Sequence, residues 1–473
     1  MATFNSPSSV ASAVGHLTDW GRAQAALLRV PDRAVEGALE ATPVDAVARA
    51  RAIFRSLAAE GRSMLTEPEA KAVIAAYGVE IPEIHEAQTE DEVVALAEDM
   101  LKRQPRVVVK LVSSNILHKS DVGGLVLNVE TVAQARSAAR AIRERVEAAG
   151  LQDQVSGFCV ETMIQRAGAH ELILGLSMDR IFGPTILFGA GGIDVEVLRD
   201  TAVALPPLDA SLAADLIGRT RVSRLLTGYR GRSPVDAAAL QGVIVAFSHM
   251  VEDFACLKAV DINPILADST GVIALDAAIE IDPTRVEEQG PNQRLAIRPY
   301  PTEWRRDYVL KGETYTIRPI RPADALLYPD FVSDLSAEDM RLRFMAPRNQ
   351  IPQEMALKMT QLDYDRDMAF IAIGPDGRMA GVSRMASEPS RKSAEYALLV
   401  RSDLAGRGLG STLMSHLIEY ARSQGYETLD GIILAENRGM LRLVERLGFV
   451  NRYDPEEAGT MISELKLADA TAP

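Results

Sequence analysis

Between Leu398 and Ala421 the chain reads LLVRSDLAGRGLGSTLMSHLIEYA, and this stretch admits few folds. Leu398–Val400 is a short apolar run, the mark of a buried strand end. Arg401–Asp403 breaks it, and glycines follow at 406, 408 and 410. Without a Cβ, glycine lets backbone N–H groups come close to a ligand. Leu413, Met414, Leu417, Ile418 and Ala421 then recur on one face of an amphipathic helix. Strand, glycine turn and helix N-terminus in series make a phosphate site, because the first helical N–H groups are unpaired and the helix dipole is positive there. A Rossmann turn or a plain tight turn carries similar glycines. Two features decide against both. The turn comes late in its unit, after several predicted strands, and a second signature follows: Glu436-Asn437, Leu443 and Leu447-Gly448-Phe449.

Together the two signatures resemble the acetyl-CoA-binding core of the GNAT acyltransferases. The pyrophosphate loop of that family reads Gln/Arg-x-x-Gly-x-Gly/Ala, and here it runs Ala405-Gly406-Arg407-Gly408-Leu409-Gly410. Ala405 departs from the pattern; a side-chain contact is lost and the backbone cradle is kept. The resemblance implies acetyl-CoA held by Gly406, Arg407, Gly408, Gly410 and Ser411. It implies a pantetheine arm paired with Leu398, Leu399 and Val400, and Asn437 near the thiol end.

Acyl transfer to an amine needs a neutral nucleophile, and a lysine ammonium has a reference pKa of about 10.4. Glu395 lies three residues before Leu398, in AEYALLV. A carboxylate on a partly buried strand can have a raised pKa, and there Glu395 would serve as general base; a solvent-facing strand glutamate is the plain alternative. The family resemblance favours the base. Many GNAT enzymes also have a tyrosine acid in the helix after the asparagine, and here that position is Val444.

A chain of 473 residues exceeds one ordinary domain, so two or three are expected. The net charge of −14 argues against a nucleic-acid partner. No apolar run reaches membrane-spanning length, and no signal peptide stands at the start. The expectation is a cytoplasmic protein with no membrane partner. Cys159 and Cys256 sit in apolar contexts and read as small core residues.

Residues 1–60 are alanine-rich and helical in pattern, punctuated by Pro31 and Pro43. Thr66, Pro68 and Glu69 then predict a capped helix start, closed at Gly78. Strands and helices alternate from there: 90–102 helical, 106–112 a buried strand, 132–149 helical, 157–163, 171–176 and 185–188 strands. This is an α/β or α+β domain.

Several residues in it invite chemistry. Lys110 lies inside the apolar run Val107–Val112, where a lysine is costly unless paired. His118 stands in the polar loop SSNILHKSDVGG, and a lone histidine is ordinarily structural. Glu161 and Glu171 bracket a hinge-like segment containing Met163 and Ile164. Asn263 and Asp276 end two strands with hard oxygen donors of the kind Mg²⁺ takes alongside nucleotide phosphates; capping a hairpin is the alternative.

The segments TEPEAKAVIAAYGV, VVVKLVSSNILHKSDVGG, HELILGLSMDRIFGP, FGAGGIDVEVLRD and VDINPILADSTGVIALD resemble the ATP-grasp half of nucleoside-diphosphate-forming acyl-CoA synthetases, relatives of the succinyl-CoA synthetase β subunit. That implies ATP with Lys110 on its phosphates, Glu161, Met163 and Ile164 at adenine, Glu171 at ribose, and Mg²⁺ on Asn263 and Asp276. It places His118 where those enzymes have a histidine thought to relay a phosphoryl group.

Asp282-Pro283, Gly290-Pro291 and Arg298-Pro299 mark a linker, with Trp304 and Tyr308 as anchors of its end. The domain reading is therefore a helical segment over 1–60, an ATP-grasp domain over 61–285, a linker over 286–312 and a GNAT domain over 313–468. In this order the chain is similar to the Pat-type protein lysine acetyltransferases. Those usually begin with a CoA-binding Rossmann domain and a flavodoxin-like part, of which residues 1–60 look like the last helices. On that resemblance the chain is a fragment, a split gene product or a rearranged protein, unable alone to complete acyl-CoA synthesis. The first functional expectation is acetyl transfer to a reactive lysine of a protein substrate, such as a metabolic acyl-CoA synthetase, with the ATP-grasp half regulatory. The others are a β-like subunit needing a separate CoA-ligase α-like chain, a non-catalytic nucleotide or CoA sensor, and a small-amine acetyltransferase.

Overall fold

The computed structural model of the protein describes residues 6–27, 43, 45–116, 119, 122–192, 200–229, 232–347 and 350–467. Packing divides the chain into two units, residues 33–297, and residues 298–473 with 1–32. Helix α1 (Pro7–Leu27) exposes Val10, Val14, Leu17 and Trp20.

Helices α2 (Ala46–Ala59) and α3 (Glu67–Ala76) open the first unit. Thr66 caps α3 as its sequence predicts: its Oγ1 accepts from the Glu69 N–H, and the Glu69 carboxylate accepts from the Thr66 N–H at 2.7 Å. Next come β1 (Ile84–Ala87), α4 (Glu90–Met100), β2 (Val107–Val112), β3 (Leu125–Val129), α5 (Val132–Ala148) and β4 (Gly157–Thr162). They build a four-stranded antiparallel sheet in the order β1-β4-β2-β3. Val107, Val109 and Leu111 of β2 share a core with Val93, Met100 and Ile142 of the two helices.

A second sheet follows, from β5 (His170–Asp179), β6 (Gly183–Ala190), β7 (Thr201–Ala204), β8 (Leu257–Asp268), β9 (Gly271–Ala274) and β10 (Ala278–Ile281). Its order is β10-β8-β5-β6-β7, with β9 also on β8. Helices α6 (Ala210–Gly218) and α7 (Ala237–Asp253) pack on it. Residues 46–59, which the sequence groups with a helical tail, supply Ala46, Ala50, Phe54 and Leu57 to this core. Their spacing puts all four on one helical face, and Phe54 meets Phe254 edge to face at 4.9 Å. The core also takes in Val286 and Leu295 from the expected linker, whose breakers bend the chain over the unit without freeing it. Both cysteines are buried thiols.

The second unit is one eight-stranded sheet. Its strands are β11 (Arg306–Leu310), β12 (Glu313–Pro319), β13 (Asp367–Ile373), β14 (Met379–Ser387), β15 (Ser393–Val400), β16 (Thr428–Leu434), β17 (Val450–Tyr453) and β18 (Thr460–Lys466). The order is β11-β12-β13-β14-β15-β16-β18-β17. Strand β11 lies in the stretch expected to be linker; it pairs with β12 over its full length. One face carries α8 (Tyr328–Ser333), α9 (Ala337–Phe344) and α10 (Gln353–Thr360); the other carries α11 (Leu409–Ser423) and α12 (Arg438–Arg446). Among the described residues no helix is long and apolar enough to cross a membrane.

His416 of α11 fastens the anchor pair. It is 1% exposed, and Trp304 and Phe370 pack edge-on against it. The Trp304 carbonyl accepts at 3.0 Å from Nε2, so Nδ1 accepts from the Tyr308 hydroxyl at 2.9 Å and the ring is neutral. Burial, with Arg306 nearby, pushes the imidazole down to about 4 from an ordinary 6.5. A depressed histidine stabilises the fold above its unfolded value and loses that contribution as pH falls toward the folded one. Urea unfolding of the protein is therefore expected to lose on the order of 3 kcal/mol between pH 6.5 and 4 through this residue. His416→Gln, which offers the same donor and acceptor without titrating, should flatten that part of the pH dependence.

Candidate functional site

In the first unit, α3, β2 and β4 aim charged side chains at one buried point. Glu67 lies at the start of α3 and Lys71 one turn on, fully buried. The Lys71 ammonium bonds Glu67 at 2.8 Å and Glu161 of β4 at 2.7 Å. Lys110 of β2 bonds the same two carboxylates at 2.5 and 2.9 Å, and donates to the Leu275 carbonyl at 3.3 Å. Lys119 completes the group on Glu67 at 2.5 Å. Burial alone would push the Glu67 carboxyl up; the ammonium groups of Lys110, Lys71 and Lys119 overcome it and hold the carboxyl well below the usual range. Glu161 is shifted the other way by burial and by Glu67. Lys110 is buried yet stays firmly protonated, because Glu161 and Glu67 face it.

Lys110 and Glu161, expected separately at the nucleotide phosphates and at adenine, bond each other here at 2.9 Å. Glu67, Lys71 and Lys119 were missed. The sequence carries a signal for two of them: Glu67, Lys71 and Ile74 share one helical face, so the charges lie on the apolar side.

Asn263 and Asp276 come together by register. Strand β8 pairs Ile265 with Ala274 of β9 and Asp261 with Ala278 of β10. Between these pairs the Leu275 N–H donates to the Pro264 carbonyl at 3.0 Å, which lays the two stretches side by side. The Asn263 Oδ1 accepts from the Gly192 N–H at 3.1 Å. Gly192 has φ +77°, where a side-chain-bearing residue is strained, and a Cβ there would press on the Glu171 carboxylate. Glu171 is exposed at the edge of this turn, and Met163 and Ile164 follow β4 half-buried. Among the described residues no three His, Cys, Asp or Glu side chains form a metal-binding group. The donor set here is one amide and one carboxylate oxygen, which suits Mg²⁺ when nucleotide phosphates supply other ligands. His118 lies outside the described residues.

The second unit holds a split sheet. Strands β15 and β16 run parallel and pair only at Ser393 with Thr428, Ala394 with Leu429 and Glu395 with Asp430. Past Glu395 they part, so Leu398, Leu399 and Val400 border an open slot while their other edge pairs with β14. The Tyr396 ring lies against Gly431 at the fork, where a Cβ would come within 2.8 Å of it.

The glycine turn stands beside this slot. Gly406 and Gly408 have φ of +72° and +100°, where side-chain-bearing residues are strained. Gly408 is the N-cap of α11 and supplies no side-chain cap. The N–H groups of Leu409, Gly410 and Ser411 donate to no acceptor among the described residues. Gly410 allows Leu398 and Leu443 to close in; a Cβ there would meet them at 3.3 and 3.2 Å. Arg407 reaches back to Glu313 at 3.5 Å, and Ser411 follows in the first turn of α11. Asn437 is the N-cap of α12, its Oδ1 accepting from the Met440 N–H at 3.0 Å. Glu395 is exposed, contrary to the partly buried setting its sequence suggests, and makes no hydrogen bond or ion pair with the described residues. Val444, at the tyrosine position of many relatives, is fully buried core.

Residues 56–281 match the ATP-grasp domain family, and residues 332–449 match the acetyltransferase (GNAT) family. The β subunit of the ADP-forming acetate–CoA ligase I of Pyrococcus furiosus is 36% identical over 234 residues, covering 50% of this chain and 98% of that subunit. An acetyltransferase of Pseudomonas aeruginosa is 33% identical over 159 residues, covering 33% of this chain and 86% of that protein. The crystal structure of the GNAT domain of S. lividans PAT has 26% identity and a TM-score of 0.34, over 35% of this chain and 99% of that one. The chain thus belongs to two families in series, with an ATP-grasp domain like that of the β subunits of ADP-forming acyl-CoA synthetases followed by a GNAT acetyltransferase domain.

Proposed function

We propose that the chain is an acetyl-CoA-dependent N-acetyltransferase acting on lysine ε-amines of proteins, acyl-CoA synthetases among them. Its ATP-grasp unit binds ATP with Mg²⁺ as a regulatory half. The observation that carries the reading is the slot between β15 and β16 with the glycine turn beside it.

In this reading the unpaired N–H groups of the Gly406–Ser411 turn take the pyrophosphate of acetyl-CoA, aided by the positive end of α11. Arg407 leaves Glu313 to add a charge. Leu398, Leu399 and Val400 pair through their backbone with the pantetheine amides. The thioester comes to rest near the fork, beside Glu395. Glu395 takes a proton from the lysine ammonium, and the freed amine attacks the thioester carbonyl carbon. A C–N bond forms, the nitrogen gives its second proton to water, the C–S bond breaks, and CoA leaves as a thiolate. With a thiol pKa of about 8.5 the thiolate is a weak base and takes its proton from water, so Val444 in place of an acid is no handicap. Asn437 stays on α12 and fixes its start near the thiol.

In the first unit, Lys110 turns from the carboxylates to the nucleotide phosphates, and Asn263 with Asp276 holds Mg²⁺. Glu161, Met163 and Ile164 lie at the base and Glu171 at the ribose. A second reading, a β-like subunit that needs a separate α-like chain, is favoured by the match over 98% of the P. furiosus β subunit. It requires phosphate on His118 when that chain is supplied.

The test is mass-spectrometric detection of acetyl-lysine on a purified acyl-CoA synthetase, given acetyl-CoA and no ATP. Transfer is expected. Gly408→Val forces a β-branched residue to φ +100°, a strain of about 1–3 kcal/mol that the turn relieves by moving its amides. Its affinity for acetyl-CoA should fall at least about tenfold, and transfer should fall with it. Bound acetyl-CoA with no transfer to any amine would overturn the reading.

A further inference from the structure

The sheet face that bears Glu395 also bears Arg384, and Arg343 of α9 lines a pocket with it. Register places three rows side by side on that face: Asp367, Ala386 and Glu395; then Ala369, Arg384 and Ala397; then Ile371, Val382 and Leu399. Alanines flank Arg384 on both sides, so the middle row is hollow. Above it a narrow pocket is walled by Tyr328, Arg343 and Met359 and floored by Arg384, Ala397 and Leu399.

The charges in this pocket are not closed on themselves. Arg384 reaches Asp367 only at 3.8 Å. Arg343 lies over the Phe344 ring at 5.2 Å and forms no ion pair with the described residues. Burial, and the like charge of Arg384, push its guanidinium below the ordinary value, against the pull of Glu395. Two half-buried guanidinium groups that repel each other are stabilised by an anion placed between them, and arginine binds carboxylates with both arms. Arg384 and Glu395 are diagonal neighbours on adjacent strands, about 7–8 Å apart along the backbone. An acceptor with its amine at Glu395 would set a group about that far along its skeleton beside Arg384.

We propose that the acyl acceptor carries a carboxylate beside its amine, bound by Arg343 and Arg384 while Glu395 receives the amine. This rests on the acetyltransferase reading above. Two sources share the chemistry: a protein lysine next to an acidic residue, and a free amino acid. The two arginines are specificity-determining residues.

The test uses the full chain with acetyl-CoA and two matched pairs of acceptors. One pair is a peptide with lysine between glutamates and the same peptide with glutamines. The other is 6-aminohexanoate and hexylamine. In at least one pair the carboxylated acceptor should be favoured about tenfold or more in kcat/KM, as for a hydrogen bond to a charged group. Arg384→Gln and Arg343→Gln should each bring the carboxylated acceptor down to the level of its neutral partner. Acetyl-CoA binding, measured in parallel, shows that each variant is folded; if one variant fails to bind, the other decides. The pair that shows the preference identifies the source. Equal rates within both pairs, or a preference that survives both variants, overturn the proposal. If no amine is acetylated while acetyl-CoA binds, the acetyltransferase reading itself falls and takes this one with it.

Discussion

Glu395→Gln is expected to lower kcat for acetyl transfer by about 10²- to 10⁴-fold, the span of a general base. The substitution is nearly isosteric, and the side chain is exposed with no partner among the described residues. No hydrogen bond or ion pair among the described residues depends on its charge, so the melting temperature and the affinity for acetyl-CoA should change little. That separation is the diagnostic. A residue that merely shaped the slot would move binding and stability as well. Glu395 sits at the last paired position before the strands part, next to where a thioester would lie. Steady-state kinetics with saturating acetyl-CoA decides the matter: an unchanged kcat removes Glu395 as the base.

Glu67→Gln carries the second large expected effect, in the other unit. Glu67 is 3% exposed and accepts from three ammonium groups, at 2.8, 2.5 and 2.5 Å. Without its charge, Lys71 and Lys110 keep only Glu161 as an ion-pair partner and Lys119 loses its own, with Asp276 the other carboxylate near Lys110 and Lys119. Removing one side of a buried ion pair costs about 3–5 kcal/mol, because the surviving charge is left uncompensated. The chemical denaturation midpoint of the first unit should fall accordingly. A triphosphate that binds the folded unit should restore part of the loss, since a ligand that prefers the native state stabilises it by mass action. The double variant with Lys71→Met should be less damaged than the single one, because it removes one of the stranded cations. A cost below about 1 kcal/mol for Glu67→Gln would put the cluster among weakly coupled surface pairs.

Much of both units was legible because the signals were local. The capping box at Thr66, the buried strand around Lys110, the hairpin at Pro375-Asp376-Gly377 and the glycine turn before α11 each follow from a few neighbouring residues. What the sequence hid was tertiary. Glu67 and Lys71 share a helical face with Ile74, but nothing local announces that Glu161 and Lys110 come in from other strands to close the cluster. Strand β11 was masked by breakers around it, and its partner β12 is what orders it. Alternation along β15 puts Glu395 on the face of Leu399. Leu399 is buried against the α8 and α10 layer, and Glu395, four positions earlier, is not. Pattern alone cannot say where a covering layer stops.

The seam between β15 and β16 also bears on how the second unit holds together. Five strands lie on one side of it and three on the other, and only three residue pairs stitch them. A continuous sheet has two edges; this one has two more inside it. Interior edges lower the cost of local opening, since little pairing is lost when they separate. A ligand that lays its own amides along the slot acts as a rivet across the seam. Folding strength in this unit would then rise with the concentration of any such ligand, by mass action.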